Sequence, residues 1–290
     1  MSDFSGATAL VGRDCVIDLV QPCIMGVLNV TPDSFSDGGD YLDVAAAVER
    51  GLEMVEQGAG ILDIGGESTR PGAPAVSPAA ECERVIPVIE GLRRHTRIPL
   101  SIDTSKAPVA RVALAAGVNF VNDISGLSFD DDMAAVVAAT GAGLFLMHTR
   151  GCPEQMQENT DYQDLLAEVV DFLRAAVNKA GAAGIGTDRL AVDPGIGFAK
   201  NAAGNLALLK YLSALHQLGC PILLGTSRKS FIGKILHQDD PRQRLYGTLA
   251  TVALGVAQGV QLFRVHDVLP AREAALVAWA IREQQFPLVS

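Results

Sequence analysis

One structural unit recurs eight times along the chain: a short apolar run, a loop, and a segment with helical periodicity. The first run spans residues 23–30, and the segment behind it has apolar side chains at Val44, Val48, Leu52 and Val55, which is helical spacing. Strands that are apolar throughout are typical of a parallel sheet covered by helices. Eight such units predict a (β/α)8 barrel. An open doubly wound sheet is the main alternative, but the Gly-x-Gly-x-x-Gly pattern of its first turn is missing.

The domain organisation follows from the absence of internal breaks. No linker rich in Gly, Ser or Pro and no block of like charges divides the 290 residues. We therefore expect one domain, a barrel over residues 23–290, preceded by a lead-in over residues 1–22. Residues 15–19 of the lead-in (CVIDL), which are mostly apolar, predict a hairpin strand or a plug.

Composition excludes several classes of function. The net charge of -10 and the pI near 4.9 give the whole molecule no attraction for nucleic acid or anionic membranes, so an anionic ligand must be held locally. The five cysteines are widely spaced and form no Cys-x-x-Cys pair, which argues against disulfides and zinc. No secretion signal and no run of transmembrane length is present, which predicts a cytoplasmic protein.

The carboxyl ends of the predicted strands are polar, although each closes an apolar run. In a barrel these ends and the loops after them form the active site. The polar positions, and the methionine beside one of them, are Asn29, Thr69, Arg70, Asp103, Asn122, Met147, His148, Asp193, Ser227, Arg228, Lys229, Ser230, Arg264 and His266. The segment that begins at Asp193 is the clearest case, because glycines behind a carboxylate let the backbone approach a ligand. Taken alone, this Asp-Pro-Gly segment is equally typical of a turn.

The side chains at this rim divide into two chemical groups. Asp103, Asn122 and Asp193 can pair with a flat ring that carries adjacent N–H donors, and Lys229 can donate to a ring carbonyl. The other group can donate to phosphate oxygens and consists of Thr69, Arg70, Arg264 and His266. The predicted ligand is therefore a planar heterocycle with an anionic tail.

No covalent nucleophile is indicated, because the chain has no Ser-His-Asp order, no His-Glu-x-x-His motif and no Walker loop. We therefore expect displacement of a phosphate leaving group, driven by positioning and charge stabilisation. The loops 31–40 and 67–75 are long enough to act as lids, with Phe35 and Pro71 as walls for an aromatic second substrate. We expect His148 to be structural, and Asp63 to have a structural partner near the barrel bottom or in the next strand.

Seven motifs, taken together and in order, closely resemble dihydropteroate synthase, and the resemblance runs from about residue 23 to the C-terminus. They lie at 29–39 (NVTPDSFSDGG), 65–72 (GGESTRPG), 101–104 (SIDT), 122–126 (NDISG), 193–198 (DPGIGF), 227–230 (SRKS) and 264–267 (RVHD). The resemblance implies a transferase of folate biosynthesis. It would condense 6-hydroxymethyl-7,8-dihydropterin diphosphate with 4-aminobenzoate by dissociative loss of diphosphate, with Mg²⁺, as a homodimer, and would be a target of sulfonamides.

The resemblance also implies residue roles. The catalytic residues would be Asp103, Lys229 and Arg70. The pterin would be bound by Asp103, Asn122, Ile124, Met147, Asp193, Gly225 and Lys229. The diphosphate would be bound by Asn29, Thr69, Arg70, Arg264 and His266, with Asn29 also reaching the metal. The 4-aminobenzoate site would be formed by Phe35, Pro71, Phe198, Lys229 and Ser230.

Residues 147–153 read Met-His-Thr-Arg-Gly-Cys-Pro, where the family more often has Met-His-Met-Gln-Gly-x-Pro. No insertion interrupts residues 227–230, which predicts sulfonamide sensitivity. Two alternatives are a pterin-binding methyltransferase barrel, which shares the Asp and Asn set, and a catalytically silent paralogue that binds pterin or regulates a partner enzyme. The retained Asn29, Arg70 and Arg264 favour the synthase. The helix faces over residues 246–257 are candidates for the dimer contact.

Overall fold

The computed structural model describes residues 7–31, 40–68, 73, 75–152 and 155–287, with the backbone alone for residues 40–43. Four of the predicted site residues, Phe35, Thr69, Arg70 and Pro71, lie outside the described residues.

Eight parallel strands form the predicted barrel, which is confirmed. They are β3 (Cys23–Asn29), β4 (Ile61–Gly65), β5 (Leu100–Asp103), β6 (Phe120–Asp123), β7 (Gly143–Met147), β8 (Leu190–Asp193), β9 (Leu223–Leu224) and β10 (Leu262–Val265). Their order is β8-β7-β6-β5-β4-β3-β10-β9, and a parallel bridge between Val192 and Ile222 closes the ring. The register pairs Asp103 with Asn122 and Met147 with Asp193, so the predicted site residues reach the same rim.

The helices that cover the barrel are α1 (Asp40–Glu56), α2 (Pro78–His95), α3 (Ala107–Ala116), α4 (Met133–Thr140), α5 (Leu165–Ala182), α6 (Ala202–Lys210), α7 (Ser230–Leu236), α8 (Leu245–Ala257) and α9 (Val268–Glu283). The start of α2 is capped by Ser77, whose hydroxyl accepts from the Ala80 amide at 3.2 Å, and Pro78 occupies the first helical position. The cations Arg93, Arg94 and His95 lie in its last turn, where the helix dipole favours them.

Two parts of the helical layer differ from the prediction. The apolar spacing of Leu206, Leu209, Leu212 and Leu215 predicts one helix through Leu215, but α6 ends at Lys210 and a 3-10 segment follows over Leu212–Leu218. Leu212 and Leu215, the buried side chains of that segment, are three residues apart, which is the 3-10 repeat. The short helix α7 was not predicted, because its single pair of turns contains Gly233 and is too brief to show a helical period.

The lead-in folds as a hairpin beneath the barrel. Strand β1 (Ala9–Gly12) pairs antiparallel with β2 (Cys15–Asp18). Leu10 and Ile17 are buried against the first residues of the barrel strands, in a cluster that includes Phe120 and Phe145. The apolar side of the hairpin therefore seals the amino-terminal end of the barrel and leaves the carboxyl rim for the site.

The five cysteines are free thiols. None of the helices in the described part of the chain combines the length and apolar composition needed to cross a membrane.

Candidate active site

A guanidinium links two buried carboxylates inside the carboxyl rim. Arg264 on β10 donates from Nε to Asp63 Oδ2 and from Nη2 to Asp103 Oδ2, each at 2.6 Å. Asn122 on β6 donates to the same Asp63 oxygen at 2.9 Å. Strands β4, β5, β6 and β10 therefore contribute to one buried hydrogen-bond network.

The expectation for Asp63 was wrong. Its partners are Arg264 and Asn122 rather than a group at the barrel bottom or in the next strand, where Ser101 lies opposite it in register. In a closed barrel, inward-facing side chains of different strands share a layer, so the nearest charge can lie across the interior. Asp63 is therefore a support for the predicted site residues.

The network leaves acceptors open. Within the described part of the chain, Asp63 Oδ1 and Asp103 Oδ1 are buried and have no hydrogen-bond partner. Burial raises the pKa of Asp103 to about 7, although the Arg264 charge opposes that rise. Leaving a buried acceptor unpaired costs free energy, so the Asp103 carboxyl is ready to accept from a ligand N–H group.

Asp193, Gly225 and Lys229 form the adjoining part of the rim. Burial raises the pKa of Asp193, while the Gly195 amide, which donates to Asp193 Oδ1 at 2.7 Å, and the nearby Lys229 charge act in the opposite direction. A side chain at Gly225 would begin 3.7 Å from Asp193 Oδ2 and 3.9 Å from the Arg264 Cβ atom. The glycine therefore keeps space open between the two halves of the rim.

Lys229 bends over the turn that follows β8. Its Nζ atom donates to the Ile196 carbonyl oxygen and lies 4.2 Å from the centre of the Phe198 ring. Gly197 has a φ of +85°, and a Cβ atom there would come within 2.9 Å of the Lys229 stem, so both its conformation and its small size are needed. Burial lowers the pKa of Lys229 to about 8, with the Asp193 charge opposing the shift.

The other predicted ring-binding residues lie at the same rim. Asn122 precedes the end of β6, Ile124 follows that strand, and Met147 ends β7; all three are buried. Ser230 is exposed at the start of α7, directly after Lys229.

The predicted phosphate residues within the described ranges come from two strands, β3 and β10. Asn29 ends β3, and His266 follows β10 with its Nδ1 atom 3.0 Å from the Ser227 hydroxyl. Arg264 is engaged by the carboxylates of Asp63 and Asp103. Arg228, which the pattern also placed at the rim, forms a bidentate ion pair with Asp267 and joins the loops after β9 and β10.

Two lysines with buried partners were not assigned a role from the sequence. Lys106 pairs with Glu67 at 2.8 Å and with the fully buried Glu81 at 2.6 Å, while Glu67 also accepts from the Val76 amide at 2.7 Å. Lys200 lies inside the turn after β8, with its Nζ atom 2.9 Å from Nδ1 of the buried His148. Lysine is rarely buried, so both positions read as surface cations in the sequence.

His148 is buried and satisfied, in agreement with a structural role. Besides Lys200, it contacts the Phe172 ring edge-on at a centroid distance of 4.8 Å. Burial lowers the pKa of His148 to about 3, and the Lys200 charge adds to that effect. The imidazole is therefore neutral at physiological pH.

The fold and the buried set of acid, amide and lysine groups define a pterin-binding barrel, and residues 25–266 match the model of the family described as pterin binding enzyme. The chain is 50% identical to the dihydropteroate synthase of Synechocystis over 89% of each protein. A dihydropteroate synthase from Yersinia pestis, solved with a sulfonamide drug, superposes with a TM-score of 0.89 at 42% identity, covering 95% of this chain and 99% of the other. One from Xanthomonas albilineans, solved with 4-aminobenzoic acid, has a TM-score of 0.88 at 44% identity, covering 96% and 100%. The chain belongs to the dihydropteroate synthase family.

Proposed function

We propose that this chain condenses 6-hydroxymethyl-7,8-dihydropterin diphosphate with 4-aminobenzoate, and that it releases 7,8-dihydropteroate and diphosphate. The observation that carries the proposal is the buried network of Arg264, Asp63, Asp103 and Asn122, with its open carboxylate acceptor, beside Asp193 and Lys229. In a family of dihydropteroate synthases, such a set suits a ring whose edge carries adjacent N–H donors. The protein is therefore a transferase of folate biosynthesis.

The pterin half of the site uses groups that other parts of the barrel hold in place: Arg264 pairs with Asp103, and backbone groups of the turn after β8 bond to Asp193 and Lys229. Asp193 and Asp103 accept from ring N–H groups, and Asn122 fixes the ring edge through its amide. Lys229 donates to the ring carbonyl in place of its present acceptor, the Ile196 carbonyl oxygen. These hydrogen bonds involve charged groups in a buried environment, where such bonds are strong.

The diphosphate half is formed by Arg264, His266 and Asn29. A guanidinium has five N–H donors, and two of those on Arg264 are used by Asp63 and Asp103, so others are left for a phosphate oxygen. Thr69 and Arg70, which lie outside the described residues, join this half by resemblance alone. Asp103 and the pterin then lie beside the leaving group.

Mg²⁺ is part of the proposal, and the residues present fit it. The described residues contain no cluster of three or more His, Cys, Asp or Glu side chains that would hold a metal. Mg²⁺ commonly binds through one or two protein oxygens together with phosphate and water. A side chain at Gly65 would begin 3.8 Å from Asn29 Oδ1 and 3.7 Å from Asp103 Oδ2, so the glycine leaves room beside the amide oxygen of Asn29. When bound there, the ion would neutralise charge on the leaving diphosphate.

The chain itself orients the reactants and stabilises charge. The bond between the pterin methylene carbon and the diphosphate oxygen breaks first, and the electron pair leaves with diphosphate. Asp103, close to the ring, stabilises the cation that remains, while Arg264 and Arg70 stabilise the departing anion. The 4-aminobenzoate nitrogen then bonds to the methylene carbon and loses a proton. Asp103, Lys229 and Arg70 are thus the proposed catalytic residues.

The 4-aminobenzoate half is formed by Phe198, Lys229 and Ser230, with Phe35 and Pro71 assigned by resemblance. The Yersinia pestis neighbour was solved with a sulfonamide drug, which supports sulfonamide binding by this chain. Sulfonamides therefore compete with 4-aminobenzoate in this protein. Unchanged turnover at high drug and limiting 4-aminobenzoate would contradict this part of the proposal.

A homodimer is proposed from the surface of α8 and α9, which pack against each other. Large apolar side chains on these helices are exposed, including Tyr246 at 82% and Ile281 at 74%. Exposed apolar side chains of this size favour association. The Ile281→Asp variant should shift the mass measured by light scattering from dimer to monomer, and a wild-type monomer would contradict the dimer. No nucleic-acid or membrane partner is proposed, and a cytoplasmic location remains a prediction.

The reaction is tested by chromatographic detection of 7,8-dihydropteroate with Mg²⁺ and both substrates. Removing the charge of a buried, hydrogen-bonded group that contacts the ligand costs about 2 kcal/mol or more, which is about 30-fold in affinity. Asp193→Asn should therefore lower kcat/KM for the pterin by about 30-fold or more. Asp171→Asn, at an exposed carboxylate on α5, is the matched control and should not change the rate. Equal rates for wild type and Asp193→Asn would remove the basis of the pterin assignment.

A further inference from the structure

Side chains hold five successive carbonyl groups of the turn after β8. Five successive carbonyl oxygens accept from side-chain donors: Gly195 and Phe198 from Lys200, Ile196 from Lys229, Gly197 from Gln157, and Ala199 from the Tyr162 hydroxyl. A surface loop usually leaves such carbonyls to water. The conformation of this turn is therefore specified by the protein.

Lys200 contributes two of these five hydrogen bonds. Its Nζ atom lies 3.0 Å from the Gly195 oxygen, 2.8 Å from the Phe198 oxygen and 2.9 Å from His148 Nδ1, and the residue is only 3% exposed. An ammonium would donate to all three atoms. A neutral amine would donate to the two carbonyls and accept from an Nδ1–H of His148. The three contacts are therefore satisfied in either protonation state.

The turn also places two groups of the site. It carries the Phe198 ring, which lies 4.2 Å from the Lys229 Nζ atom, and it supplies the Ile196 oxygen to which Lys229 donates. The residues Asp103, Asn122 and Arg264 come from other strands and do not contact Lys200 in the described structure. The geometry of the turn thus bears on one side of the site more than on the other.

We infer that Lys200 is a positioning residue for the 4-aminobenzoate half of the site, acting through the placement of the Phe198 ring. It contacts neither substrate. This inference rests on the proposed function, since that function assigns Phe198 to 4-aminobenzoate. Loss of Lys200 should relax the turn and displace the Phe198 ring, which forms a wall of the 4-aminobenzoate site, so the effect should fall on the binding of that substrate.

The test compares Lys200→Met, which removes every donor, with Lys179→Met. Lys179 also donates to a backbone carbonyl, that of Leu127, at 2.7 Å, but lies away from the site, so it is the matched control. For Lys200→Met we expect the KM for 4-aminobenzoate to rise about tenfold or more, with kcat and the Kd for the pterin diphosphate changed less than about threefold. Lys179→Met should change none of these values.

An unchanged KM in folded Lys200→Met would overturn the inference. An equal loss of pterin and 4-aminobenzoate affinity would overturn it as well, because Lys200 would then support the whole pocket. If Lys200→Met does not fold, Tyr162→Phe decides the question: it removes one donor from the same turn and should raise the KM about threefold, whereas no change would refute the role of the turn.

Failure of the proposed function has a different signature. Wild-type protein that binds the pterin diphosphate without turnover would contradict the proposed function. In that case the role of Lys200 is tested by measuring the Kd of a sulfonamide for wild type and Lys200→Met, in the presence of pterin and diphosphate. That Kd should be weakened about tenfold by Lys200→Met, and an unchanged value would overturn the inference.

Discussion

The Arg264→Met variant removes the only cation that the described structure places against both Asp63 and Asp103. The side chain of Arg264 is 22% exposed, and its two ion pairs are each 2.6 Å long. Removing one partner of a buried ion pair costs about 3 to 5 kcal/mol, because a charge is left buried without compensation. Since native proteins are stable by about 5 to 15 kcal/mol, the variant should still fold at low temperature.

The loss should depend on pH. Without the guanidinium, burial and the nearby Asp63 charge hold the pKa of Asp103 in the folded variant above the value of an unfolded aspartate, about 3.9. A carboxyl group whose pKa is raised by folding contributes stability at pH below its unfolded pKa and loses that contribution as the pH rises through the folded pKa. The destabilisation should therefore be larger at pH 8 than at pH 5.

Urea unfolding at pH 5 and pH 8, followed by circular dichroism, measures this difference. The matched control is Arg174→Met, whose ion pair with Asp171 is exposed, with a 44% exposed arginine side chain. Exposed pairs contribute about 0 to 1 kcal/mol. A loss below about 1 kcal/mol for Arg264→Met at pH 8, or an equal loss at both pH values, would refute the role of Arg264 as the charge that compensates the two carboxylates.

Three further predictions concern the turn, the proposed donor and the hairpin. Burial lowers the pKa of Lys229 to about 8, so the affinity for the pterin, measured by calorimetry, should fall as the pH rises through that value. Lys229→Arg should not show this fall, because arginine stays protonated. If the fall persists in the variant, a group other than Lys229 causes it. The methyl group of Gly195→Ala would lie on the His148 carbonyl oxygen at a φ of +68°, so the variant should lose about 3 kcal/mol or more of unfolding free energy. Gly219→Ala, at a φ of +71° with open space around it, should lose about 1 to 2 kcal/mol. Equal losses in urea unfolding would contradict the steric argument. Leu10→Ala should lower the free energy of unfolding by about 2 to 5 kcal/mol, because Leu10 is fully buried. Val16→Ala, at an exposed position of the same hairpin, should lower it by less than about 0.5 kcal/mol. Similar urea midpoints for the two variants would argue against the hairpin as a plug of the barrel.

The fold was accessible from the sequence because its signals are local. Apolar runs bounded by helical periods require only neighbours along the chain, and the cap at Ser77 lies next to the helix that it starts. The rim residues could be found for the same reason, since the end of a strand is visible in the sequence. Boundaries and the short helix α7 were not accessible, because fewer than two periods of a pattern do not identify a helix.

The pairings within the site could not be read from the sequence. Asp63 and Arg264 are separated by 201 positions, and only closure of the barrel brings them together. The burial of Lys200 depends on His148, which is 52 positions away. A single sequence shows which residues are polar but not which of them share an interior layer. The partner of Asp63 was therefore expected in the wrong part of the barrel, and the burial of Lys200 was not predicted.

The most direct test of the account is the rate of diphosphate release from 6-hydroxymethyl-7,8-dihydropterin diphosphate, measured with Mg²⁺ in the presence and absence of 4-aminobenzoate. We expect the release to saturate with both substrates and to yield one 7,8-dihydropteroate for each diphosphate. A sulfonamide should inhibit it in competition with 4-aminobenzoate. Tight binding of the pterin diphosphate with no 4-aminobenzoate-dependent release, in folded wild-type protein, would contradict the account.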